Sequence, residues 1–296
     1  MEETTMAKLL SGKEVCEALN EKLMERTAAL RKKGVIPTLA IIRVGENPSD
    51  LSYETGAAKR AALVGVEVVN FVLKEDCTKE ELLAVIDRIN ADPTVHGCLM
   101  FRPLPKHLRA FNDEICNRLD PKKDVDSMTS LSNAGVYEGR TDLGYPPCTA
   151  QACIEILDHY GYDYSGKRVT VMGRSLVIGR PIGMMLQHRN CTVTTIHTQT
   201  RDPLAYLPYS DLIICAAGVL NSVGAAQVRP GQTVIDVSMN WNPEKITSKG
   251  KGGMSGDCNF AEVEPIVEAI TPVPGGVGAV TTSVLMKHVV EAAEKI

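Results

Sequence analysis

The chain has 296 residues, of which 44% are hydrophobic and 4% aromatic, and its formal net charge is -4. This length suits two domains with a sizeable core. Lysine and arginine are spread along the chain, which argues against a nucleic-acid-binding surface. No apolar run is long enough to span a membrane, and the acidic N-terminus does not resemble a secretory signal, so a cytoplasmic location is expected.

The nine cysteines and six histidines are scattered, with no C-x-x-C pair and no spacing typical of a metal site. Reduced thiols and structural or surface histidines are therefore expected. No metal site is predicted.

The N-terminal half alternates helical and strand patterns. A helix is predicted from a Ser11 cap to Gly34, followed by a buried strand in TLAIIRVG, a helix in SYETGAAKRAALVG and a strand in VEVVNFVL. In the next helix, TKEELLAVIDRINAD, Thr78 and Glu81 form a capping-box pattern, and the strand VHGCLMF follows. Strands alternating with helices of this length predict parallel βαβ units.

A passage rich in proline and glycine follows, from LDPKKDVDS to LGYPPCT. Its composition predicts irregular structure. We place the domain boundary near its end, with a first domain over residues 1–148 and a second over 149–280.

The second half predicts a doubly wound α/β sheet. It begins with a helix in AQACIEILDHYG, and KRVTVMGRSLVIGRPIGMMLQHRNCTVTTIHTQT then reads as one strand–helix–strand unit. Two further buried strands are predicted in DLIICAAG and TVIDVSMN. The last segment, TTSVLMKHVVEAAEKI, is predicted to be an amphipathic helix.

The helix that contains Tyr53 carries small residues beside this tyrosine. Positions three, four and seven further on are Gly56, Ala57 and Arg60, which lie nearest to Tyr53 on a helical surface. Lys59 lies roughly 120° round the helix from Tyr53. This face suggests the wall of a pocket, without a neighbouring group that donates and accepts a proton near neutral pH.

A glycine-containing turn, VMGRSLVIGRP, joins a strand to a helix. Gly173 closes the strand, and Gly179 lies where the helix needs a close approach, as in turns that bind nucleotide phosphates. The pattern departs from G-x-G-x-x-G, so a cofactor turn and a tight structural connection both remain open. The second strand ends TIHTQTR without an acidic residue before Asp202, and Arg174 and Thr198 suit a 2′-phosphate, which favours NADP over NAD.

Four stretches, VGENPSDLSY, KKDVDS, GRSLVIGRP and TPVPGGVGAVT, occur in this order, together with GK, PPCT, VIDVSMN and GD. Over nearly the whole chain they resemble the methylenetetrahydrofolate dehydrogenase/cyclohydrolase family. The resemblance implies an N-terminal α/β domain, a Rossmann-type dinucleotide-binding domain and an active-site cleft between them. It also implies that a C-terminal helix, residues 281–296, packs back on the first domain, and that the protein is a homodimer.

Members of this family oxidise 5,10-methylenetetrahydrofolate to the methenyl form by hydride transfer to a nicotinamide, and many then hydrolyse the product to 10-formyltetrahydrofolate. The resemblance places Tyr53 against the pterin and aminobenzoate region, and Asp126 on the pterin's amino and ring nitrogens. The folate and the nicotinamide would meet a turn that contains Pro272, Pro274, Gly275, Gly276 and Val277. The NADP contacts would come from Gly173, Arg174, Ser175 and Thr198, and from the main chain of Met239.

Two departures from the family occur together. Most members carry a lysine where this chain has Ala57, and a supporting glutamine where it has Phe101. Positioning dominates hydride transfer, whereas hydrolysis needs an activated water, so we predict a dehydrogenase with weak or absent cyclohydrolase activity. A smaller departure, Ser238, adds a hydroxyl.

Other assignments remain open. They are a fully bifunctional enzyme, another NADP-dependent dehydrogenase of the shikimate or amino-acid type, and a non-catalytic sensor that binds NADP or folate. A short-chain dehydrogenase is disfavoured, since no Y-x-x-x-K occurs in the sequence.

Overall fold

A computed structural model describes residues 6–248 and 250–295 of the chain. The contacts within it divide the chain into two compact units. The three-stranded unit comprises Glu17–Cys148 and residues 282–295, and the six-stranded unit comprises residues 6–16 and Thr149–Thr281.

The helices and strands have the following bounds. The helices are α1 Gly12–Lys32, α2 Pro48–Val64, α3 Lys79–Ala91, α4 Asn112–Arg118, α5 Ser130–Glu138, α6 Cys148–His159, α7 Gly179–Gln187, α8 Phe260–Val263 and α9 Val277–Ala293. The strands are β1 Lys8–Leu9, β2 Thr38–Val44, β3 Glu67–Leu73, β4 Gly97–Met100, β5 Arg168–Met172, β6 Thr192–Ile196, β7 Leu212–Cys215, β8 Thr233–Asp236, β9 Asn240–Thr247, β10 Gly250–Ser255 and β11 Ala269–Ile270. Short 3₁₀ helices lie at Lys106–Phe111, Pro121–Lys123, Pro203–Tyr209 and Ala225–Gln227.

The three-stranded unit contains a parallel sheet in the order β3-β2-β4. The central strand β2 is buried along almost its whole length, as its continuous apolar sequence predicts. Helix α3 turns Leu82, Ile86 and Ile89 toward this core at three-to-four-residue spacing. The capping box that starts α3 is confirmed, with Thr78 N donating to Glu81 Oε2 at 2.8 Å and Glu81 N to Thr78 Oγ1 at 3.2 Å.

The passage predicted to be irregular contains a helix, so that prediction is wrong for α5. The hydroxyl of Thr129 accepts from Ser132 N at 3.1 Å and caps the start of this helix. Gly139 ends it with φ 71. These local caps form a short helix despite the prolines and glycines around it, because the prolines lie outside its span.

The six-stranded unit contains a parallel sheet in the order β1-β11-β8-β7-β5-β6. The chain adds β6 on one side of β5 and β7 on the other, so the strand order reverses at β5. This reversal is the mark of a doubly wound Rossmann-type sheet, and the predicted fold class is confirmed.

Two features of the six-stranded unit differ from what the sequence predicts. Strand β1 pairs with β11, Lys8 opposite Ala269, so residues 6–16 join this unit although the predicted boundary placed them in the first domain. Both strands have only two residues, too few to form a recognisable pattern. The antiparallel hairpin of β9 and β10 was also not predicted, because its lysines and glycines are not typical of a strand.

Helix α9 begins at Val277, earlier than predicted, and is not amphipathic. Its polar residues Ser283 and His288 are buried along with its apolar ones. Within the three-stranded unit, Ser283 Oγ donates to Asn20 Oδ1 at 3.2 Å, and Arg26 pairs with Glu294 at 2.6 Å. The segment 282–295 is therefore joined to α1 by hydrogen bonds and an ion pair.

Candidate functional site

Tyr53 lies on the second turn of α2. The helix starts after Asn47, whose Oδ1 accepts from Ser49 N at 3.0 Å. The ring of Tyr53 meets that of Phe101 edge to face, with centroids 5.9 Å apart and planes at 84°. Ala57, four residues after Tyr53, is fully buried, whereas Lys59 is exposed. The structure thus places an aromatic pair at Tyr53 and Phe101, and a methyl group at Ala57.

A buried ion pair anchors this part of α2. Arg43 Nε, near the end of β2, donates to Glu54 Oε2 at 2.8 Å, and the two side chains are 9% and 15% exposed. The Arg43 guanidinium also donates to the carbonyl of Gly45. Because Glu54 adjoins Tyr53 in the helix, this pair fixes the tyrosine relative to the sheet. No sequence pattern predicts this pair, since the two charges stand eleven residues apart.

Asp126 lies in the loop that follows the 3₁₀ helix Pro121–Lys123. Its Oδ1 accepts a hydrogen bond from Cys148 N at 2.8 Å. Burial raises the pKa of Asp126, while the Cys148 hydrogen bond and the positive charge of Arg102 oppose this rise. Since Arg102 directly follows Phe101, the loop of Asp126 and the aromatic pair belong to one neighbourhood of the three-stranded unit.

Asp124 has a different role from Asp126. It is fully buried, and its carboxylate accepts from Met128 N at 2.9 Å and from Thr129 N at 2.8 Å. These bonds hold the backbone two and three residues after Asp126. Asp124 therefore shapes the loop, whereas the carboxylate of Asp126 can accept further hydrogen bonds from a ligand beside the one from Cys148 N.

Ser127 is held in an unfavourable state beside Asp126. Its φ is 54, and within residues 6–248 and 250–295 its buried Oγ has no hydrogen-bond partner. Replacing Ser127 with glycine is expected to raise the free energy of unfolding by about 1–2 kcal/mol, because it relieves the left-handed backbone and removes an unsatisfied hydroxyl. Calorimetry of Ser127→Gly against the unmodified chain measures this gain.

Ser127→Ala is the control, because it removes the hydroxyl and keeps the backbone strain. Its gain should be smaller than that of glycine. A glycine variant less stable than the unmodified chain would contradict the strain argument.

The turn Pro272–Val277 lines a cavity of about 210 Å³ in the six-stranded unit. Asp236, at the end of β8, also lines it, and burial raises the pKa of Asp236 to about 6. Met239, which is 53% exposed, lines the cavity as well. All the turn residues predicted from the resemblance line it: Pro272, Pro274, Gly275, Gly276 and Val277. Gly275 and Gly276 present no side chain to the cavity, which permits close approach of a ligand.

The glycine of the GK motif supports this turn. Gly12 N donates to Gly275 O at 2.9 Å, and a Cβ at Gly12 would lie 2.2 Å from Gly276 O. On the other side, Asp236 N donates to Thr271 Oγ1 at 2.7 Å. Only glycine fits at position 12 without moving the turn.

The turn after β5 forms a cradle that also requires glycine. Gly173 has φ 112, and a Cβ there would lie 2.3 Å from Ala216 O, at the end of β7. A Cβ at Gly179 would lie 2.2 Å from Gly173 O. The cradle sits where the strand order reverses, which is where doubly wound sheets bind ligands. It fits the pyrophosphate of a dinucleotide, because helix α7 begins at Gly179.

The other predicted cofactor residues surround this cradle. Ser175 Oγ accepts from Ile178 N at 3.1 Å and shapes the turn, and Arg174 is exposed. Thr198 follows β6, which pairs in parallel with β5, so it emerges at the same edge of the sheet as Gly173. An exposed guanidinium and hydroxyl at this edge suit a 2′-phosphate.

Asp257, in the GD motif, is a structural centre that the sequence analysis did not identify. Its fully buried carboxylate accepts five hydrogen bonds. The donors are Ala217 N at 2.7 Å, Val219 N at 2.8 Å, Ser238 Oγ at 2.9 Å, Asn240 Nδ2 at 3.0 Å and Gly218 N at 3.2 Å. The added hydroxyl of Ser238 therefore strengthens the loop after β7, which closes over Gly173.

Residues 6–248 and 250–295 lack both a cluster of metal ligands and a membrane-spanning helix. They contain no group of three or more histidine, cysteine or acidic side chains that could hold a metal ion. None of their helices combines the length and apolarity needed to cross a bilayer. All nine cysteines fall within these residues, and each is a buried free thiol.

Known proteins share both units. Residues 10–126 match the model of the tetrahydrofolate dehydrogenase/cyclohydrolase catalytic domain, and residues 147–296 match that of its NAD(P)-binding domain. The bifunctional protein FolD of Carboxydothermus hydrogenoformans is 44% identical over 98% of both chains.

Solved structures agree with these matches. The bifunctional FolD enzyme of Campylobacter jejuni superimposes with a TM-score of 0.91 at 35% identity, over 98% of this chain and 99% of that one. The Trypanosoma brucei methylenetetrahydrofolate dehydrogenase-cyclohydrolase, solved with NADP and an inhibitor, gives 0.90 at 30% identity over 98% of each. The resemblance found in the motifs is confirmed, and the chain belongs to the tetrahydrofolate dehydrogenase/cyclohydrolase family.

Proposed function

We propose that this protein oxidises 5,10-methylenetetrahydrofolate to 5,10-methenyltetrahydrofolate with NADP, and that its cyclohydrolase activity is weak or lost. The observation that carries the dehydrogenase assignment is the cavity lined by Pro272–Val277, in the same unit as a glycine cradle that fits a dinucleotide. The NADP bound to the Trypanosoma brucei relative supports the choice of cofactor.

NADP, when bound, supplies the hydride acceptor. Gly173 and Ser175 would shape the turn for its pyrophosphate, and Arg174 and Thr198 would hold its 2′-phosphate. The main chain at Met239 would contact it beside the turn. These residues would bind the cofactor and orient it.

Asp126 and Tyr53 would orient the folate. The carboxylate of Asp126 would accept from the pterin's amino and ring nitrogens as a bidentate acceptor, and Tyr53 would lie against the pterin and aminobenzoate region. Hydride departure is assisted by the substrate's own nitrogen lone pair, so this step does not need a protein base. The dehydrogenase reaction therefore depends mainly on positioning.

Hydrolysis of the methenyl cation makes a different demand. It requires an activated water and proton transfer, for which a lysine of lowered pKa beside a tyrosine is suited. Ala57 and Phe101 have no side-chain nitrogen or oxygen, and the Phe101 ring packs on Tyr53 instead. Without these groups the hydrolytic rate is expected to be lower by on the order of a hundredfold or more.

A fully bifunctional enzyme is the second candidate. It is favoured by the relatives, since the Carboxydothermus hydrogenoformans and Campylobacter jejuni proteins are both called bifunctional. The two candidates share the dehydrogenase reaction and differ only in the fate of its product.

One experiment on the purified protein separates them. Methylenetetrahydrofolate and NADP are mixed with the protein, and reduction is followed at the nicotinamide band. Methenyltetrahydrofolate is then supplied alone, and its absorbance decay is compared with the buffer-catalysed rate. We expect rapid reduction of NADP and a decay close to that of buffer.

Two variants complete the experiment. Ala57→Lys combined with Phe101→Gln should accelerate the decay, while Lys59→Ala, which removes an exposed lysine of the same helix, should change neither rate. A large acceleration by the unmodified protein would favour the bifunctional candidate. Folate binding without any NADP reduction would overturn the enzyme assignment and favour a sensor.

The homodimer follows from the resemblance and the cytoplasmic location from the sequence, and both stay predictions.

A further inference from the structure

The hairpin of β9 and β10 lies against the turn that lines the cavity, and one lysine connects them. Lys245, on β9, is half-buried. Its Nζ donates to the carbonyl of Met254 on β10 at 2.5 Å and to the carbonyl of Val273 at 3.1 Å. Val273 itself lines the cavity. A single ammonium group therefore joins both strands of the hairpin to the cavity wall.

This link restrains the turn on the side of the hairpin. The hairpin is a two-stranded sheet of its own, and such hairpins are only marginally stable without further packing. Hydrogen bonds from a charged donor are roughly twice as strong as neutral ones. Gly12 holds the turn at Gly275, and Lys245 holds it two residues earlier.

The same hairpin contains a lysine with a different environment. Lys251 pairs with Glu244 at 2.9 Å, and the two side chains are 61% and 77% exposed. A solvated pair of this kind contributes little. Lys251 therefore provides a matched control for the removal of one ammonium group from the hairpin.

We propose that Lys245 is a positioning residue for hydride transfer, acting through the carbonyl of Val273 on the turn that would meet substrate and nicotinamide. The proposal rests on the proposed function. Loss of the Nζ would let the turn move by a fraction of an ångström to an ångström. A displacement of about 1 Å at a reacting centre costs up to roughly a hundredfold in rate.

The test compares Lys245→Met, Lys245→Arg and Lys251→Met with the unmodified enzyme. Lys245→Met is expected to lower kcat by about tenfold or more, and to raise the primary isotope effect on kcat with substrate deuterated at the methylene. Lys245→Arg retains a donor and should recover most of the loss. Lys251→Met should behave like the unmodified enzyme.

Cofactor affinity provides a separate measurement. Trp241, the single tryptophan, is 64% exposed and starts the same hairpin, so energy transfer from it to NADPH reports binding. The Kd for NADPH should stay within about twofold in Lys245→Met, because the phosphate cradle is untouched. An unchanged kcat in Lys245→Met, an equal loss in Lys251→Met, or no recovery with arginine would overturn the proposal.

Amide hydrogen exchange distinguishes this failure from failure of the proposed function. If the unmodified protein does not reduce NADP, the function is wrong, but the exchange rates over residues 271–279 still report on the turn. Faster exchange in Lys245→Met than in Lys251→Met supports the positioning role. Equal exchange in the two variants overturns it.

Discussion

Replacing Asp126 with asparagine is expected to lower kcat/KM for methylenetetrahydrofolate about a hundredfold while raising the thermal stability. Asparagine retains the oxygen that accepts from Cys148 N, so the loop is preserved. It loses the second carboxylate oxygen and the charge that would bind the pterin. Charge-assisted hydrogen bonds contribute about 1.5–3 kcal/mol, which corresponds to a factor of roughly 10 to 150.

The gain in stability follows from the sign of the pKa shift. The folded-state pKa of Asp126 is raised above its ordinary value by burial, so folding disfavours the ionised form. The destabilisation is absent below the ordinary pKa, grows as the pH rises from the ordinary to the raised pKa, and is complete above the raised pKa. Asp126→Asn should therefore increase the melting temperature at neutral pH and leave it unchanged in strong acid.

The pH dependence of the reaction gives a second measurement of Asp126. Because the ionised carboxylate accepts through both oxygens, whereas the protonated acid carries a donor on one of them, kcat/KM should fall on the acid side, and this fall should begin at a higher pH than for an ordinary aspartate. Asp126→Asn should remove this acid limb.

Asp124→Asn is the matched control. Its amide would place a donor against Met128 N or Thr129 N in a fully buried site, so it should destabilise the three-stranded unit by about 1–3 kcal/mol. If Asp126→Asn lost stability and retained activity, the assignment of the two aspartates would be reversed.

The second large effect is expected at Gly179. In Gly179→Ala the new Cβ would lie 2.2 Å from Gly173 O and 2.9 Å from Arg174 Cα, so helix α7 must move away from the turn. Overpacking of this kind typically costs about 1–3 kcal/mol. If this cost falls on cofactor binding, the Kd for NADPH rises about tenfold to a hundredfold. Energy transfer from Trp241 measures the change.

Gly183, one turn further along α7, is the control. A Cβ there meets only Val193 Cγ1 at 3.7 Å, an ordinary contact. Alanine is favoured over glycine in a helix by up to about 1 kcal/mol, so Gly183→Ala should stabilise the protein and leave the Kd for NADPH unchanged. Equal affinities in the two variants would falsify the account of the cradle.

Local signals in the sequence determined most of the fold. The buried strand β2, the capping box of α3 and the strand–turn–helix of β5 and α7 each depend on residues close together in the chain, and each was predicted. The elements that the sequence did not predict also have local explanations. The caps of α5 were overlooked among prolines and glycines, and the two-residue strands β1 and β11 are too short to show a period.

The candidate site was predicted through motifs, and the tertiary structure decided how its residues are supported. Ala57 and Phe101 were recognised from the sequence as departures, but only the structure packs the Phe101 ring on Tyr53. The buried Arg43–Glu54 pair, the five donors around Asp257 and the Lys245 bond to Val273 join segments up to 40 residues apart. Sequence patterns record local propensity and periodicity, whereas these contacts exist only once the sheets bring distant segments together.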